Sequence, residues 1–272
     1  MWLATLTLPL ILAAPPTDAE KLLLDMERQL VEAKSLRIKF EIEGKGFQGG
    51  AKCRGVLETA PGNLSRTEAE IAFSQEGKKI GSLKLLEISD GAKNHVVRFE
   101  MFDDSGKPLE GFTNTQLNDQ LSKGPVEISA VSKRFNEGVA RMICRRGLVN
   151  THGRVGCFSQ GPLQINFDRF DPATRLEWTE LKPPVKEKLG ARDAIRLEFE
   201  YEDSLGTLDL MGKGPVIRKG PKTKCRIWVD AETKLPLRWI SGEKDKEVIE
   251  DFKAIELNPK VDPSRFVVPK SK

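Results

Sequence analysis

Two histidines, four cysteines and several adjacent carboxylates are the side chains of this 272-residue chain whose chemistry reaches beyond packing. His95, in Asn94-His95-Val96, and His152, in Thr151-His152-Gly153, are of the residue type used in general acid or base catalysis. Neither is accompanied by G-x-S-x-G or a comparable nucleophile frame. Asp103-Asp104 and Glu250-Asp251 are adjacent acids, but in a chain with 31% charged residues such pairs read as solvated. The sequence contains no H-E-x-x-H, no P-loop and no G-x-G-x-x-G, and Gly44-Lys45-Gly46 and Gly212-Lys213-Gly214 are short Gly-Lys loops. We therefore expect no catalytic residue, no metal ligand set and no cofactor site.

Cys53, Cys144, Cys157 and Cys225 form an even set that allows three pairings. Cys144 and Cys157, separated by the short stretch Arg145 to Gly156, are the pair to test first, with Cys53 and Cys225 then joining early and late strands. Four buried free thiols is the alternative. Zinc is disfavoured because there is no C-x-x-C and no nearby His pair.

A net charge of +4, from 44 basic and 40 acidic residues, gives no reason to expect nucleic acid as a partner. Two stretches carry positive charge without an acid: Arg141 to Arg154, with Arg145 and Arg146, and Gly212 to Arg226, with Arg218, Lys219 and Lys222. Brought together they would form a basic rim for anionic headgroups or an acidic partner, worth about 1 kcal/mol per basic residue at an anionic surface. The alternative is a solvated loop.

The elements that would carry these residues follow from periodicity. Trp2 to Ala14 is apolar and uncharged but shorter than the ~20 residues of a membrane span, which suits an export signal over residues 1–19 cleaved after Ala14 or Ala19. Thr17-x-x-Glu20 has capping-box spacing, and Leu22, Leu23, Met26, Leu30 and Ala33 follow at helical intervals. From Leu36 the period switches to two, with Ile38, Phe40 and Ile42 alternating with charged residues. Strands follow at 51–59, 64–73, 80–89 and 94–102, the last two joined by Asp90-Gly91, a hairpin signal. A helical stripe behind Pro125, Ile128 to Ile143 with Phe135, Val139 and Met142, leads to further strands around Leu163 to Phe167, Leu176 to Trp178 and Ile195 to Tyr201. Lys182 to Lys188, with Pro183-Pro184, reads as a surface loop. Finally, Lys224 to Asp230 and Leu235 to Trp239 alternate on either side of a polar five-residue turn.

The run Ile227-Trp228-Val229-Asp230, then Thr233, Leu235-Pro236-Leu237-Arg238, the strand Glu247 to Leu257, Asn258, Val261-Asp262 and Phe266 to Pro269 resembles the C-terminal half of the LolA/LolB-like lipoprotein carriers. The resemblance implies an exported, periplasmic, non-enzymatic α+β protein. Its expected fold is one strongly curled antiparallel sheet of about eleven or twelve strands, an unclosed barrel with helices packed on its concave face. It also implies a single domain over residues 20–272 that holds acyl chains of a lipid or lipoprotein in the hollow, acting as a monomer. The residues expected to line that hollow are Leu23, Met26, Leu30, Phe135, Val139, Met142, Trp228 and Trp239. A second reading keeps the same fold as an envelope scaffold or stress sensor that binds another exported protein or an anionic membrane surface. Trp228 decides between a hollow and a filled core, because it falls on the strand face opposite Ile227 and Val229.

Overall fold

The computed structural model describes residues 17–45, 49–62, 64–91, 93–109, 126–127, 143–144, 148, 178–208, 215–243 and 246–269. It opens with helix α1, Asp18–Glu32. Thr17 caps it as expected: its hydroxyl accepts from the Glu20 backbone N–H at 3.2 Å, and the Glu20 carboxylate accepts from the Thr17 N–H at 2.7 Å. Because this reciprocal cap satisfies two helix-end donors, Thr17→Ala is expected to lower stability by about 1 kcal/mol in a denaturant titration. The helix therefore begins inside the segment expected to be removed, and Ala19 is already part of the core.

Strands β1 Leu36–Lys45, β2 Gly50–Ala60, β3 Leu64–Gln75, β4 Lys78–Asp90 and β5 Lys93–Phe102 form an antiparallel meander. The two-residue β6, Val126–Glu127, pairs with β5 at the sheet's edge, where the helical stripe behind Pro125 was expected to begin. Of that stripe, Ile143 and Cys144 are helical, and the rest lies outside the described residues. Leu163 to Phe167 lies outside them as well. A second meander consists of β7 Trp178–Thr179, β8 Val185–Leu189, β9 Arg192–Leu208, β10 Pro215–Asp230, β11 Pro236–Ser241 and β12 Val248–Leu257. The stretch expected as a surface loop thus contains β8, which pairs with β9.

The two meanders are joined by one seam, β1 against β12, so the order across the sheet is β6-β5-β4-β3-β2-β1-β12-β11-β10-β9-β7, with β8 also on β9. Every pairing is antiparallel, and among the described residues the two ends of the sheet do not pair with each other. Among the described residues this is the unclosed antiparallel sheet of twelve strands that the resemblance implied.

Strand alternation separates two faces. The inner face carries Leu36, Ile38, Phe40, Leu57, Leu197 and Ile227, which share one apolar cluster with α1. Gly55 belongs to this face because a Cβ there would lie 2.6 Å from the Phe40 ring and 2.6 Å from the Glu68 carbonyl oxygen. The outer face is charged. One row crosses nine strands in register: Arg196, Trp228, Arg238, Asp251, Glu41, Arg54, Glu70, Lys84 and Glu100. Lys253 bridges the adjacent acids of this row, 2.8 Å from Glu41 and 3.5 Å from Asp251.

The C-terminal segment returns across this outer face. Asn258 locks it to the end of α1: its side-chain oxygen accepts from the Lys34 N–H at 2.7 Å and its own N–H donates to the Ser35 carbonyl at 2.9 Å. A 3-10 turn, Pro263–Phe266, capped by Asp262, then seats Phe266 among Ala60, Leu86 and Ile88. Arg265 and Arg37 both donate to the buried Glu58 carboxylate at 2.7 Å.

Candidate functional site

The concave face and its helix form the candidate site. On α1, Leu23, Met26 and Leu30 recur at intervals of three and four, so they share one stripe, and each is at most 1% exposed. Trp239 reaches the same cluster from β11 by pairing with Ile227, fully buried, its ring edge-on to Phe199 at 5.6 Å between centroids. Four of the expected lining residues therefore converge. Ile143, Cys144 and Leu148 enter the same cluster. Phe135, Val139 and Met142 lie outside the described residues.

Trp228 does not join them. It sits on the outer face, where its indole N–H donates to a Glu187 carboxylate oxygen at 2.5 Å and the Arg226 guanidinium lies 5.9 Å from the ring. Ala194, Leu237 and Ile240 complete a small outer cluster around it. The long stems of a strand-borne Glu and Arg cover the ring, in the way amphipathic side chains bury apolar surface while keeping their charges hydrated.

The basic run from Arg218 to Arg226 lies on β10 and not on a loop, and antiparallel register sets Lys222 opposite Glu202, Lys224 opposite Glu200 and Arg226 opposite Glu198. Lys224 and Arg226 line a cleft of about 690 Å³ together with Lys182, Lys246, Glu198, Glu200, Glu243 and Glu247, and Arg226 donates to Glu247 at 2.6 Å. This cleft has mixed charge. The backbone of Arg218 and Lys219 is in β10, Lys222 is 4.0 Å from Glu200, and Arg145 and Arg146 lie outside the described residues.

Cys53 and Cys225 are buried free thiols on the inner face, so the Cys53 to Cys225 bridge is absent. Burial pushes the Cys53 thiol up to about 12 and, with the Glu250 charge adding to it, pushes Cys225 up as well. Both stay protonated near neutrality and are poor nucleophiles. Cys144 is buried in the same cluster, and Cys157 lies outside the described residues. His95 Nε2 is 3.1 Å from an Asp90 carboxylate oxygen on the outer face, away from the hollow, and His152 lies outside the described residues.

Two inner-face acids escaped the sequence reading. Glu250, expected to be solvated beside Asp251, is fully buried; its carboxylate accepts from the Leu148 backbone N–H at 2.5 Å, while Asp251 faces outward. Glu87 is 5% exposed, and burial alone pushes its carboxyl up to about 8. Strand parity was the available signal, since Glu250 shares its face with Phe252, and Glu87 shares its face with Leu83 and Leu85.

The fold and its apolar concavity define an unclosed curled-sheet protein built around an interior. No protein-family model and no curated protein matches the chain. Among solved structures it is similar to LprF from Mycobacterium bovis, at 10% identity and a TM-score of 0.41, covering 94% of this chain and 98% of that one. It is also similar to MucB in the Pseudomonas aeruginosa MucA/MucB complex, at 12% identity and a TM-score of 0.38, covering 93% and 62%. A LolA superfamily protein from Nitrosomonas europaea matches at 9% identity and a TM-score of 0.30, covering 93% and 98%.

Proposed function

We propose that this chain is an exported binding protein that holds the acyl chains of a lipid or lipoprotein between the inner face of its sheet and its helices. The observation that carries this reading is the single apolar interior between α1 and the inner face of the sheet, where Leu23, Met26, Leu30 and Trp239 meet Leu36, Ile38 and Ile227. An acyl chain would have to insert among these side chains. Binding would draw on apolar area removed from water at ~25 cal/mol per Å², without covalent chemistry. On this reading the export signal ends upstream of Thr17. A cut after Ala14 leaves the helix cap intact, whereas a cut after Ala19 would remove the cap and a core side chain.

Native mass spectrometry of protein purified from the envelope of a Gram-negative host is expected to show adducts that release acyl lipids on organic extraction. A ligand-free mass, together with failure to take up an apolar fluorophore, would sink the reading. Co-purification of another exported protein with a dry interior would favour the scaffold function instead.

A further inference from the structure

Beside the returning C-terminal segment, the outer face of the sheet carries a recess of about 590 Å³. Lys39, Arg54, Lys84, Arg98, Lys253 and Arg265 line it, against three carboxylates. Each carboxylate is already engaged: Glu41 with Lys253 at 2.8 Å, Glu70 with Arg54 at 2.5 Å and Glu68 with Arg66 at 3.1 Å. Arg265 is held by Glu58 at 2.7 Å. Among the described residues, the exposed side chains of Lys39, Lys84 and Arg98 form no ion pair. Lys84 lies 5.1 Å from the centre of the Phe102 ring, and its charge acts on Glu70 from beyond pairing distance.

Register spaces these three cations. Lys39, Val56, Glu68, Leu86 and Arg98 lie in one row from β1 to β5, and Lys84 stands on β4 in the adjacent row, opposite Glu70. At ~4.8 Å per strand, Lys84 is about 14 Å and Arg98 about 19 Å across the sheet from Lys39. A single phosphate cannot meet all three. An extended chain advances ~3.3 Å per residue, so a residue opposite Lys39 is followed by others at i+4 and i+6 opposite Lys84 and Arg98. Those positions share one face of the chain, because strand side chains alternate.

We propose that this recess docks an extended acidic segment of another protein, whose carboxylates at i, i+4 and i+6 meet Lys39, Lys84 and Arg98. The C-terminal segment forms one bank, where Phe266 covers Leu86 and Arg265 lines the recess. Glu68 lies between Lys39 and Arg98 and repels an acid placed at the middle of the segment. A flat anionic membrane fits less well, since it would press the same negative charge onto Glu41, Glu68 and Glu70. Exposed charge pairs contribute little singly, so binding draws on several at once and weakens with salt. The inference concerns the outer face and holds whether or not the interior takes an acyl chain.

The test is fluorescence anisotropy of the purified full chain with a fluorescein-labelled ten-residue Ser-Gly peptide carrying Glu at positions 3, 7 and 9. The wild type should bind this peptide, lose it as NaCl rises from 0.05 to 0.5 M, and ignore the same peptide with Gln at those positions. Replacing Lys39, Lys84 and Arg98 together by Gln should weaken binding about tenfold. Replacing Lys21, Lys186 and Lys188 by Gln removes the same charge elsewhere and should change it less than about twofold. Glu68→Gln should tighten binding about twofold, a gain that misfolding cannot produce. Equal weakening in the two triple variants, or equal binding of the Glu and Gln peptides, overturns the proposal. So does capture of phosphatidylglycerol vesicles through the same three cations without peptide binding, which would make the recess a membrane contact.

Discussion

Glu87→Gln is expected to stabilise this protein at neutral and alkaline pH, by on the order of 3 kcal/mol at pH 7. The cause is the direction of the shift. Burial raises the Glu87 carboxyl from an ordinary 4.5 to about 8, so the folded chain holds a proton that the unfolded chain releases. The stability this proton confers is fully present below about pH 4.5 and is lost as pH rises through 8. Glutamine has nearly the same shape and nothing to ionise. The difference in unfolding free energy between variant and wild type should therefore be close to zero near pH 4, grow across the neutral range and level off above pH 8. Denaturant titrations of both proteins at several pH values isolate the effect, because every other titrating group is common to the pair. A difference that does not vary with pH would mean that Glu87 is hydrated.

Trp239→Ala should produce the largest loss, about 3 to 5 kcal/mol, seen as a lower denaturant midpoint at unchanged m-value. The indole is fully buried on the inner face and packs edge-on against Phe199, so truncation removes both transfer energy and contact. Its Nε1 has no hydrogen-bond partner. Trp239→Phe removes that orphaned donor along with one ring, and the two effects oppose each other. It should therefore cost less than about 1.5 kcal/mol. The corresponding change at Trp228 should be milder, because that ring lies on the outer face with a satisfied N–H.

What could be read from the sequence was what depends on neighbours along the chain. The Thr17 to Glu20 cap and the switch of period at Leu36 involve residues a few positions apart, and helix α1 and strand β1 formed as expected. The sequence reading put Trp228 and Trp239 together in the hollow, and the pairing of β10 with β11 puts them on opposite faces. What parity could not tell was which face is covered by what. Trp228 is buried by Glu187 from β8, and β8 itself has only Val185 and Leu189 to announce it, with lysines of the kind that protect an edge strand. The basic run of β10 looked unopposed because its acids, Glu198, Glu200 and Glu202, lie on another strand. Glu87 and Glu250 were missed for the opposite reason. Each interrupts an apolar parity, and in a chain this charged an interruption reads as surface until the strand's partners are known.

The seam between β1 and β12 imposes an order on how the molecule is made. It pairs Leu36 with Leu257 and Gly44 with Val248, so its partners are more than 200 positions apart. A chain that emerges amino terminus first must hold this edge of β1 unpaired until residues 248 to 257 have been delivered. Contacts between partners this distant are slow to form, and an exposed strand edge is a template for the wrong partner. Asn258 follows β12 directly, and its hydrogen bond from the Lys34 N–H ties the same distant parts of the chain together as the seam does. A chain ending before Val248 would keep β1 to β5 and β7 to β11 but lose β12, the joint between the two meanders, leaving β1 open to aggregation or to capture by a holding chaperone.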